Sequence, residues 1–445
     1  MTPFEEWDHE TEPGRKSELF VPRNSRKTRK TNSPGVMVSG SPDSLGPPLP
    51  PFAPVTRLGP LGIKTNTRGA TLRVYAADFG FHGPLFPRVP WANSASTPFT
   101  ATCSFSSSPT FASMKSISLL ALLLPWMVFA ADDKPHPFQW KIERFDPAFD
   151  RLVASDAVLE PLAEGFRWAE GPVWHDGGVV FSDVLANTAY RWKPGAKGAE
   201  VYLKPSGQLT PQPGFRETGS NGLARDPQGR LLLCQHGERR VARWENGRFT
   251  ALADRFEDRR FNSPNDLAVR RNGDVYFTDP PYGLEGVDKS PLREIPFHGV
   301  YRVTPAGEVS LLTKEIRFPN GIAFSPAEDI LYVAVSDGAA TRVMAFDVLP
   351  DGGIANPRVF FNAQPLRAPG LRGGCDGLKV DREGNVWTTG PGGVLVISRD
   401  GRLLGRLNTF EPTANCAWGD DGSTLYITAN YFLVRVRTLT KGAGW

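Results

Sequence analysis

Short apolar runs separated by turn residues recur along the C-terminal part of the chain, and each run follows a carboxylate or carboxamide residue. Most of these runs lead through a turn, such as DPQG, RRNG or SPAED, into a second apolar run, which is the pattern of a β-hairpin. No long window in this region sustains a helical period. The pattern therefore predicts an all-β domain. The residues that precede the runs, called the lead residues below, are Glu170, Asn221, Asn265, Asn320, Asp376 and Asn415.

The spacing of the lead residues predicts how the hairpins are arranged. Neighbouring lead residues lie 39 to 56 positions apart, and a four-stranded propeller blade takes about 40 to 50 residues. One unit of this size cannot bury both faces of its sheet, whereas six units packed around an axis can. We therefore expect a six-bladed β-propeller with a central metal-binding channel. Because each lead residue begins the innermost strand of its blade, all six side chains should lie at one mouth of this channel.

The connections between strands add two expectations. The apolar-patterned stretch AVLEPLAEGF at residues 157–166 should form the outer strand of the last blade, because this closes the ring without exposed edges. Longer connections lie at residues 204–219, 254–264, 285–299 and 363–374. Three of them end directly before a lead residue, so they are expected to cover the channel mouth.

The N-terminal part of the chain differs in composition from the repeats. Residues 1–113 hold 16 of the 41 prolines and no periodic apolar pattern, so we expect a disordered segment or an upstream extension from a misassigned gene start. Residues 114–131 have the order of a secretory signal peptide: a lysine, an apolar stretch too short to span a bilayer, and small residues at the end. A mature domain of residues 132–445, periplasmic or secreted, follows. A genuine extension with a buried apolar segment is the alternative.

The charge of the chain limits which partners it can have, and its cysteines indicate the state of the thiols. Residues 1–113 carry the whole excess of Lys and Arg (51) over Asp and Glu (47), so the repeat region is close to neutral and nothing indicates nucleic acid binding. Neither a stable membrane anchor nor an obligate protein partner is evident. Cys234, Cys375 and Cys416 lie in strand-like surroundings, which favours buried free thiols over a disulfide bridge.

Four lead residues together have the composition of a metal site. Glu170 and Asp376 supply carboxylates, and Asn320 and Asn265 supply amide oxygens. Hard oxygen ligands without thiolates or clustered imidazoles favour Ca²⁺, with Mg²⁺ or Zn²⁺ as alternatives. A cation there could polarise a carbonyl or phosphoryl oxygen and lower the pKa of water, while a free carboxylate oxygen accepts the proton. Metal-assisted hydrolysis is the main catalytic option that the sequence offers.

Each of these assignments competes with a simpler interpretation. An Asn-Gly or Asp-Gly pair is more often a turn than a ligand, which applies to Asn221, Asn320 and Asp376 when each is taken singly. The recurrence of six such residues at blade spacing favours the site. Glu170 precedes Gly-Pro and has no turn preference that would explain it.

Two further polar residues follow or end the second strand of their units. His236 and Asp279 could face the channel and contact the substrate, or they could shape the loops in which they lie. Asn221 and Asn265 complete the predicted substrate contacts. The aromatic residues Trp174, Trp387 and Trp418 stand at strand positions, so we expect them to pack between blades.

Five motifs in fixed order resemble a known family. The motifs are EGPVW, NGLARDPQGRLLLCQHGERRV, SPNDLAVRRNGDVYFTDPPYG, FPNGIAFSP and CDGLKVDREGNVWTTGPGG. They resemble the gluconolactonase, senescence marker protein (regucalcin) and luciferin-regenerating enzyme family, especially its bacterial gluconolactonase-like branch. The resemblance implies a six-bladed propeller that holds one divalent cation, calcium or zinc, and hydrolyses sugar lactones such as gluconolactone. It also implies site roles: Glu170, Asn320 and Asp376 as metal ligands, Asn265 between metal and substrate, and Asp376 as the proton acceptor.

One departure from the family concerns the substrate. Animal members have an arginine two positions before the residue that matches Asn265, and this chain has Ser263 there. The leading hypothesis is a calcium-dependent lactonase that acts on a small-molecule lactone. A paraoxonase-type esterase with other substrates, and a non-catalytic propeller that binds a protein partner, are the alternatives. The carboxylates expected in the channel argue against the last of these.

Overall fold

The computed structural model describes residues 136–445, and the structural statements below concern this part of the chain. It consists of β-strands and three short 3-10 helices, at Pro147–Arg151, Val287–Lys289 and Gln364–Leu366. Within residues 136–445, no helical segment has the length and apolar character that a membrane span requires. The extension at residues 1–113 and the signal peptide at 114–131 lie outside the described residues.

Six antiparallel sheets form six blades, numbered I to VI from the first lead residue to the last. Blade I contains β3 (Ala169–His175), β4 (Gly178–Asp183), β5 (Thr188–Trp192) and β6 (Glu200–Leu203). Blade II contains β7 (Ser220–Arg225), β8 (Leu231–Gln235), β9 (Arg240–Glu245) and β10 (Arg248–Ala253). Blade III contains β13 (Leu267–Val269), β14 (Val275–Asp279), β15 (Gly299–Val303) and β16 (Val309–Thr313).

The second half of the ring follows the same plan. Blade IV contains β17 (Pro319–Phe324), β18 (Ile330–Val335), β19 (Arg342–Val348) and β20 (Ile354–Asn362). Blade V contains β21 (Leu378–Val380), β22 (Val386–Gly390), β23 (Gly393–Ile397), β24 (Leu403–Asn408) and β1 (Lys141–Arg144). Blade VI contains β25 (Thr413–Gly419), β26 (Thr424–Ala429), β27 (Phe432–Arg437) and β2 (Glu160–Glu164). The hairpin β11 (Arg255–Phe256) and β12 (Arg259–Arg260) lies between blades II and III in sequence.

Blades I to IV run outward in chain order, and blades V and VI do so up to their outermost strands, which are the N-terminal β1 and β2. The innermost strands contact one another in turn around the ring; they are β3, β7, β13, β17, β21 and β25. The six-bladed architecture predicted from the spacing is confirmed. Pairing of β2 with β27 confirms that the lead-in closes the last blade. The pairing of β1 with β24 was not predicted and adds a fifth strand to blade V, where Glu143 of β1 accepts a hydrogen bond from Arg406.

The apolar core is divided among the contacts between neighbouring blades. Six clusters of buried side chains lie one at each such contact, so every blade is packed on both faces. Between blades V and VI, the rings of Trp387 and Trp418 meet edge to face with centroids 5.2 Å apart. Trp174 stacks on Tyr426 between blades VI and I at 5.7 Å. The predicted packing role of these tryptophans is confirmed.

Two other expectations concern the thiols and the loops. Cys234, Cys375 and Cys416 are buried and unpaired, as predicted. The predicted connection at residues 285–299 begins earlier in the structure, directly after β14, and occupies residues 280–298. It packs against the connection at residues 204–219, since Arg216 N donates to Gly283 O at 3.0 Å and Glu285 N donates to Gly214 O at 2.9 Å.

Candidate active site

The six lead residues stand at equivalent places on the ring of innermost strands. Glu170, Asn221 and Asn320 are the second residues of β3, β7 and β17, and Asn415 is the third residue of β25. Four of these strands have an irregular register beside the lead residue. Such bulges re-aim a side chain out of the regular pleat. Asn265 and Asp376 lie two residues before β13 and β21, so the ring is common to all six blades.

The glycines after the lead residues are explained by contact between blades. A Cβ atom on Gly321 would lie 2.2 Å from the backbone oxygen of Asp376, and one on Gly377 would lie 2.0 Å from the Cγ of Asn415. The N–H of Gly321 also donates to the Asp376 carbonyl at 3.0 Å. Only glycine allows neighbouring inner strands to approach this closely. The glycine of each such Asn-Gly or Asp-Gly pair therefore packs against the next lead residue of the ring. These pairs are not the turns that the simpler interpretation of the sequence would give.

Four lead side chains keep an oxygen atom free inside the protein. The buried Oδ1 atoms have no hydrogen-bond partner within residues 136–445, although buried polar atoms in folded proteins are nearly always paired. An orphaned set of this kind indicates that a cation or a ligand completes the site. The four residues are Asn221, Asn265, Asn320 and Asp376.

The amide of Asn320 is oriented by a residue that the sequence did not reveal. Asn320 Nδ2 donates to Ser336 Oγ at 2.9 Å, and Ser336 Oγ donates to the carbonyl oxygen of Cys375 at 2.7 Å. Because its nitrogen is held by Ser336, Asn320 presents its oxygen as the free atom. Thr278 Oγ1 fixes the backbone oxygen of Asn320 at 2.7 Å. The one signal in the sequence was the position of the Ser336 hydroxyl, directly after the end of β18.

The two carboxyl groups of the ring, Glu170 and Asp376, are both buried beside other acids. Burial and the charge of Asp266 raise the pKa of Glu170 to about 8. Burial, followed by the charges of Glu170, Asp266 and Glu217, raises the pKa of Asp376. In the absence of a cation, both carboxyl groups are therefore shifted toward their protonated, neutral forms. A bound cation would favour the ionised form of both groups.

A buried polar network links the ring to the interior of the channel. Asn415 Nδ2 lies 3.2 Å from Glu170 Oε2 and 3.2 Å from Asp266 Oδ2, and donates to both. Lys379 Nζ donates to Asn415 Oδ1 at 3.4 Å and lies 4.0 Å from Asp266 Oδ2. Asp266 and Lys379 were not among the predicted site residues. Asp266 stands where four other repeats have glycine, and this difference is the feature of the sequence that could have indicated its role.

His236 and Asp279 are both fully buried in the structure. Both oxygens of the buried Asp279 carboxylate accept backbone N–H groups, from Asn262 at 2.8 Å and from Ser263 at 2.9 Å, so Asp279 fixes the segment that leads to Asn265. The His236 ring is fully buried with Nδ1 3.2 Å from Glu217 Oε2. Glu217 was not predicted, and it brings a third acid to the neighbourhood of Asp376.

The composition of the ring fits a hard cation. Within residues 136–445, no three His, Cys, Asp or Glu side chains come together as a metal site, since the candidate set contains only two carboxylates and is completed by amides. Amide and carboxylate oxygens are ligands that Ca²⁺ and Mg²⁺ accept. Glu170, Asn265, Asn320 and Asp376 could therefore hold such an ion, with Asn221 beside them.

Comparison with known proteins identifies the family of this chain. Residues 168–431 match the family described as SMP-30/Gluconolactonase/LRE-like region. A gluconolactonase of Zymomonas mobilis is 38% identical over 312 residues, which cover 68% of this chain and 87% of that protein. A solved gluconolactonase structure from Xanthomonas campestris has a TM-score of 0.59 and 31% identity, and covers 68% of this chain and 98% of that one. The diisopropyl-fluorophosphatase of Loligo vulgaris is 24% identical over 288 residues, covering 61% of this chain and 90% of that protein.

Proposed function

We propose, since the chain belongs to the SMP-30/gluconolactonase/LRE-like family, that it hydrolyses a sugar lactone with the help of one divalent cation held by the ring of lead residues. The observation that carries the proposal is the set of four buried oxygen atoms, from four different blades, that have no hydrogen-bond partner among residues 136–445. A binding module has no need of such a set. The gluconolactonases among the relatives support a lactone as the substrate class.

Glu170, Asn265, Asn320 and Asp376 are the residues that would hold the ion. Calcium is the first candidate because the donors are hard oxygens, and zinc and magnesium are the alternatives. When bound, such a cation supplies a Lewis acid for the lactone carbonyl and lowers the pKa of a neighbouring water molecule. Asn415 donates to Glu170, and its amide is itself held by Asp266 and Lys379.

Asp376 is the proposed proton acceptor. Its two oxygens allow one to bind the ion while the other takes a proton from the attacking water molecule. The backbone N–H of Asp376 donates to Thr389 Oγ1 at 2.9 Å, which fixes the position of the residue. Asn221 and Asn265 are proposed to donate their amide N–H groups to the substrate. His236 and Asp279 support these contacts from the second row.

Hydrolysis of D-glucono-1,5-lactone by the purified protein tests the proposal. We expect turnover that is lost after treatment with a chelator and recovered with Ca²⁺, Mg²⁺ or Zn²⁺, whose order of recovery identifies the ion. Metal analysis of the untreated protein should find about one ion per chain. Hydrolysis that is insensitive to chelation would refute the role of the cation, and its complete absence on a panel of sugar lactones would refute the substrate class.

A second candidate is the hydrolysis of organophosphates or aryl esters by the same site. The similarity to diisopropyl-fluorophosphatase supports it. Parallel assays with diisopropyl fluorophosphate and phenyl acetate distinguish the two, because the better substrate class shows the higher kcat/KM. For either activity the partner is a small molecule, and we propose that it is met in the periplasm or outside the cell.

A further inference from the structure

Two aromatic rings from different blades stack at the mouth of the channel. Tyr282 follows β14 by three residues, and Phe318 directly precedes β17. Their ring centroids are 5.3 Å apart and the planes differ by 21°. Both side chains are only partly buried. This pair lies on loops, where contacts with a ligand are commonly found, and not in a core cluster.

The pair stands next to the lead residues of blades III and IV. Ser336 N donates to Phe318 O at 3.0 Å, and the same serine orients the amide of Asn320. On the other side, Gly283 N donates to Ser263 Oγ at 2.9 Å, and Ser263 lies two residues before Asn265. Tyr282, the neighbour of Gly283 and the stacking partner of Phe318, therefore lies near both chain segments that carry the candidate ligands Asn265 and Asn320. The charge of Asp376 contributes to a raised pKa of Tyr282, after burial, which agrees with this position.

Phe318 is held firmly and at an energetic cost. Its φ angle is +52°, a left-handed conformation that is unfavourable for a bulky residue and persists only where the surroundings impose it. Its N–H donates to His298 Nδ1 at 2.9 Å, and the guanidinium of Arg317 lies 4.7 Å from its ring centroid. Arg317, Phe318 and Tyr282 thus form one stack. Backbone strain at the edge of a site is often associated with function.

The charges around the stack are already paired. Arg317 lies 3.4 Å from both Asp288 and Asp337, and Arg293 lies 3.2 Å from Asp288. Arg216, across the mouth, lies 3.0 Å from Glu217. Within residues 136–445, the guanidinium groups of Arg317, Arg293 and Arg216 each lie beside a carboxylate, and Asp288 is shared by Arg317 and Arg293. A substrate that carries a carboxylate would lie near the carboxylates of Asp288, Asp337 and Glu217, and the neighbouring arginine side chains already pair with these groups.

We propose that Tyr282 is the platform on which the lactone ring lies, that Phe318 positions it, and that the mouth selects neutral over carboxylate-bearing lactones. This inference rests on the proposed lactonase function and names the substrate contact of that site. An aromatic face suits the apolar C–H face of a sugar ring, while the ring hydroxyls remain free for polar groups.

The test compares Tyr282→Phe, Tyr282→Ala and Phe318→Leu with the unaltered protein on D-glucono-1,5-lactone. Tyr282→Ala removes the ring and should raise KM about tenfold, with a smaller change in kcat. Tyr282→Phe keeps the ring, and its KM should stay within about twofold of that of the unaltered protein. Phe318→Leu should fall between them. Phe249→Ala removes a ring that packs at a tilt against Trp244, with centroids 4.6 Å apart, in the outer strands of blade II, and it should leave KM unchanged.

Several results would overturn the inference while leaving the lactonase proposal intact. They are an unchanged KM in Tyr282→Ala, an equal loss in Tyr282→Phe, or a higher kcat/KM of the unaltered protein for a glucaric acid lactone with a free carboxylate. If Tyr282→Ala does not fold by circular dichroism, Tyr282→Leu replaces it and is judged by the same KM criterion. If the unaltered protein hydrolyses no sugar lactone, both proposals fail together.

Discussion

Asn320 and Ser336 face each other at the mouth end of blade IV, and their contact at 2.9 Å decides which atom of the Asn320 amide points into the ring. An amide can present either its oxygen or its nitrogen, and only the oxygen can bind a cation. Ser336 is itself fixed, because its hydroxyl donates to the carbonyl of Cys375. The site is thus specified by a residue that would not itself bind the ion.

Ser336→Ala should weaken cation binding without unfolding the protein. The amide of Asn320 would lose its orienting partner, and loss of such a supporting contact typically costs about 10- to 100-fold in metal affinity. Calcium titration by calorimetry measures this directly. Ser423→Ala, in an exposed turn of blade VI, is the matched control and should bind calcium normally. Equal affinity of both variants would contradict the role of Ser336.

Asp376→Asn separates cation binding from proton transfer. The variant keeps one ligating oxygen and loses the basic one, so we expect it to retain some metal at saturation. Turnover should fall by about 10² to 10⁴, the usual contribution of a general base. Cys375→Ser should turn over normally, because no thiolate is needed. Near-normal turnover of Asp376→Asn at saturating metal would remove Asp376 as the proton acceptor.

Lys379 should matter for stability through its acidic neighbours. Lys379→Met leaves Glu170 and Asp266 without the ammonium group nearby, and unfolding in urea should show a loss of about 1–3 kcal/mol for the metal-free protein. The double variant Asp266→Asn/Lys379→Met removes one charge of each sign and should recover part of that loss. If the double variant is destabilised by the sum of the single effects, the two residues do not interact.

The metal-free protein should lose stability as the pH rises from about 4.5 to 8. The carboxyl of Glu170 has its ordinary pKa of 4.5 in the unfolded chain and about 8 in the fold, so the native state binds more protons in this window and ionisation there opposes folding. Asp279, with its pKa raised by burial to about 7, acts in the same direction.

Urea unfolding at pH 5, 7 and 8.5, with chelator and with calcium, measures this dependence. Calcium should stabilise the protein more at the higher pH, because it binds the ionised carboxylates. Glu170→Gln should show a shallower loss with pH in the chelator. A metal-free protein whose stability rises between pH 5 and 8 would contradict the prediction.

The mature protein should begin near residue 132. The order of residues from Met114 is that of a secretory signal peptide with a cleavage site after small residues. N-terminal sequencing of the protein recovered from the producing cells decides this. A peptide from residues 1–113 in that material would show that the extension is retained.

The extent of prediction from sequence differs between the ring and its surroundings. The spacing of the repeats was sufficient to predict the six blades and the positions of the lead residues, because every repeat contributes one innermost strand to the channel. Lys379, Ser336 and Asp266 were not predicted, since their roles depend on neighbours from other blades. Tyr282 was hidden within a turn-like PPYG segment. The pairing of β1 with blade V could not be predicted either, because a strand of four residues is too short to show a periodic apolar pattern.

The closure of blade VI by β2 has a consequence for the order of assembly. Synthesis produces β2 first among the strands of this blade and its partner β27 last, so the ring stays open until the C-terminal end of the chain is available. A ring of ligands drawn from several blades is complete only after that step. For a chain exported as proposed, the ion captured at closure would come from the destination compartment, and the supply of ions there would decide which metal the protein carries.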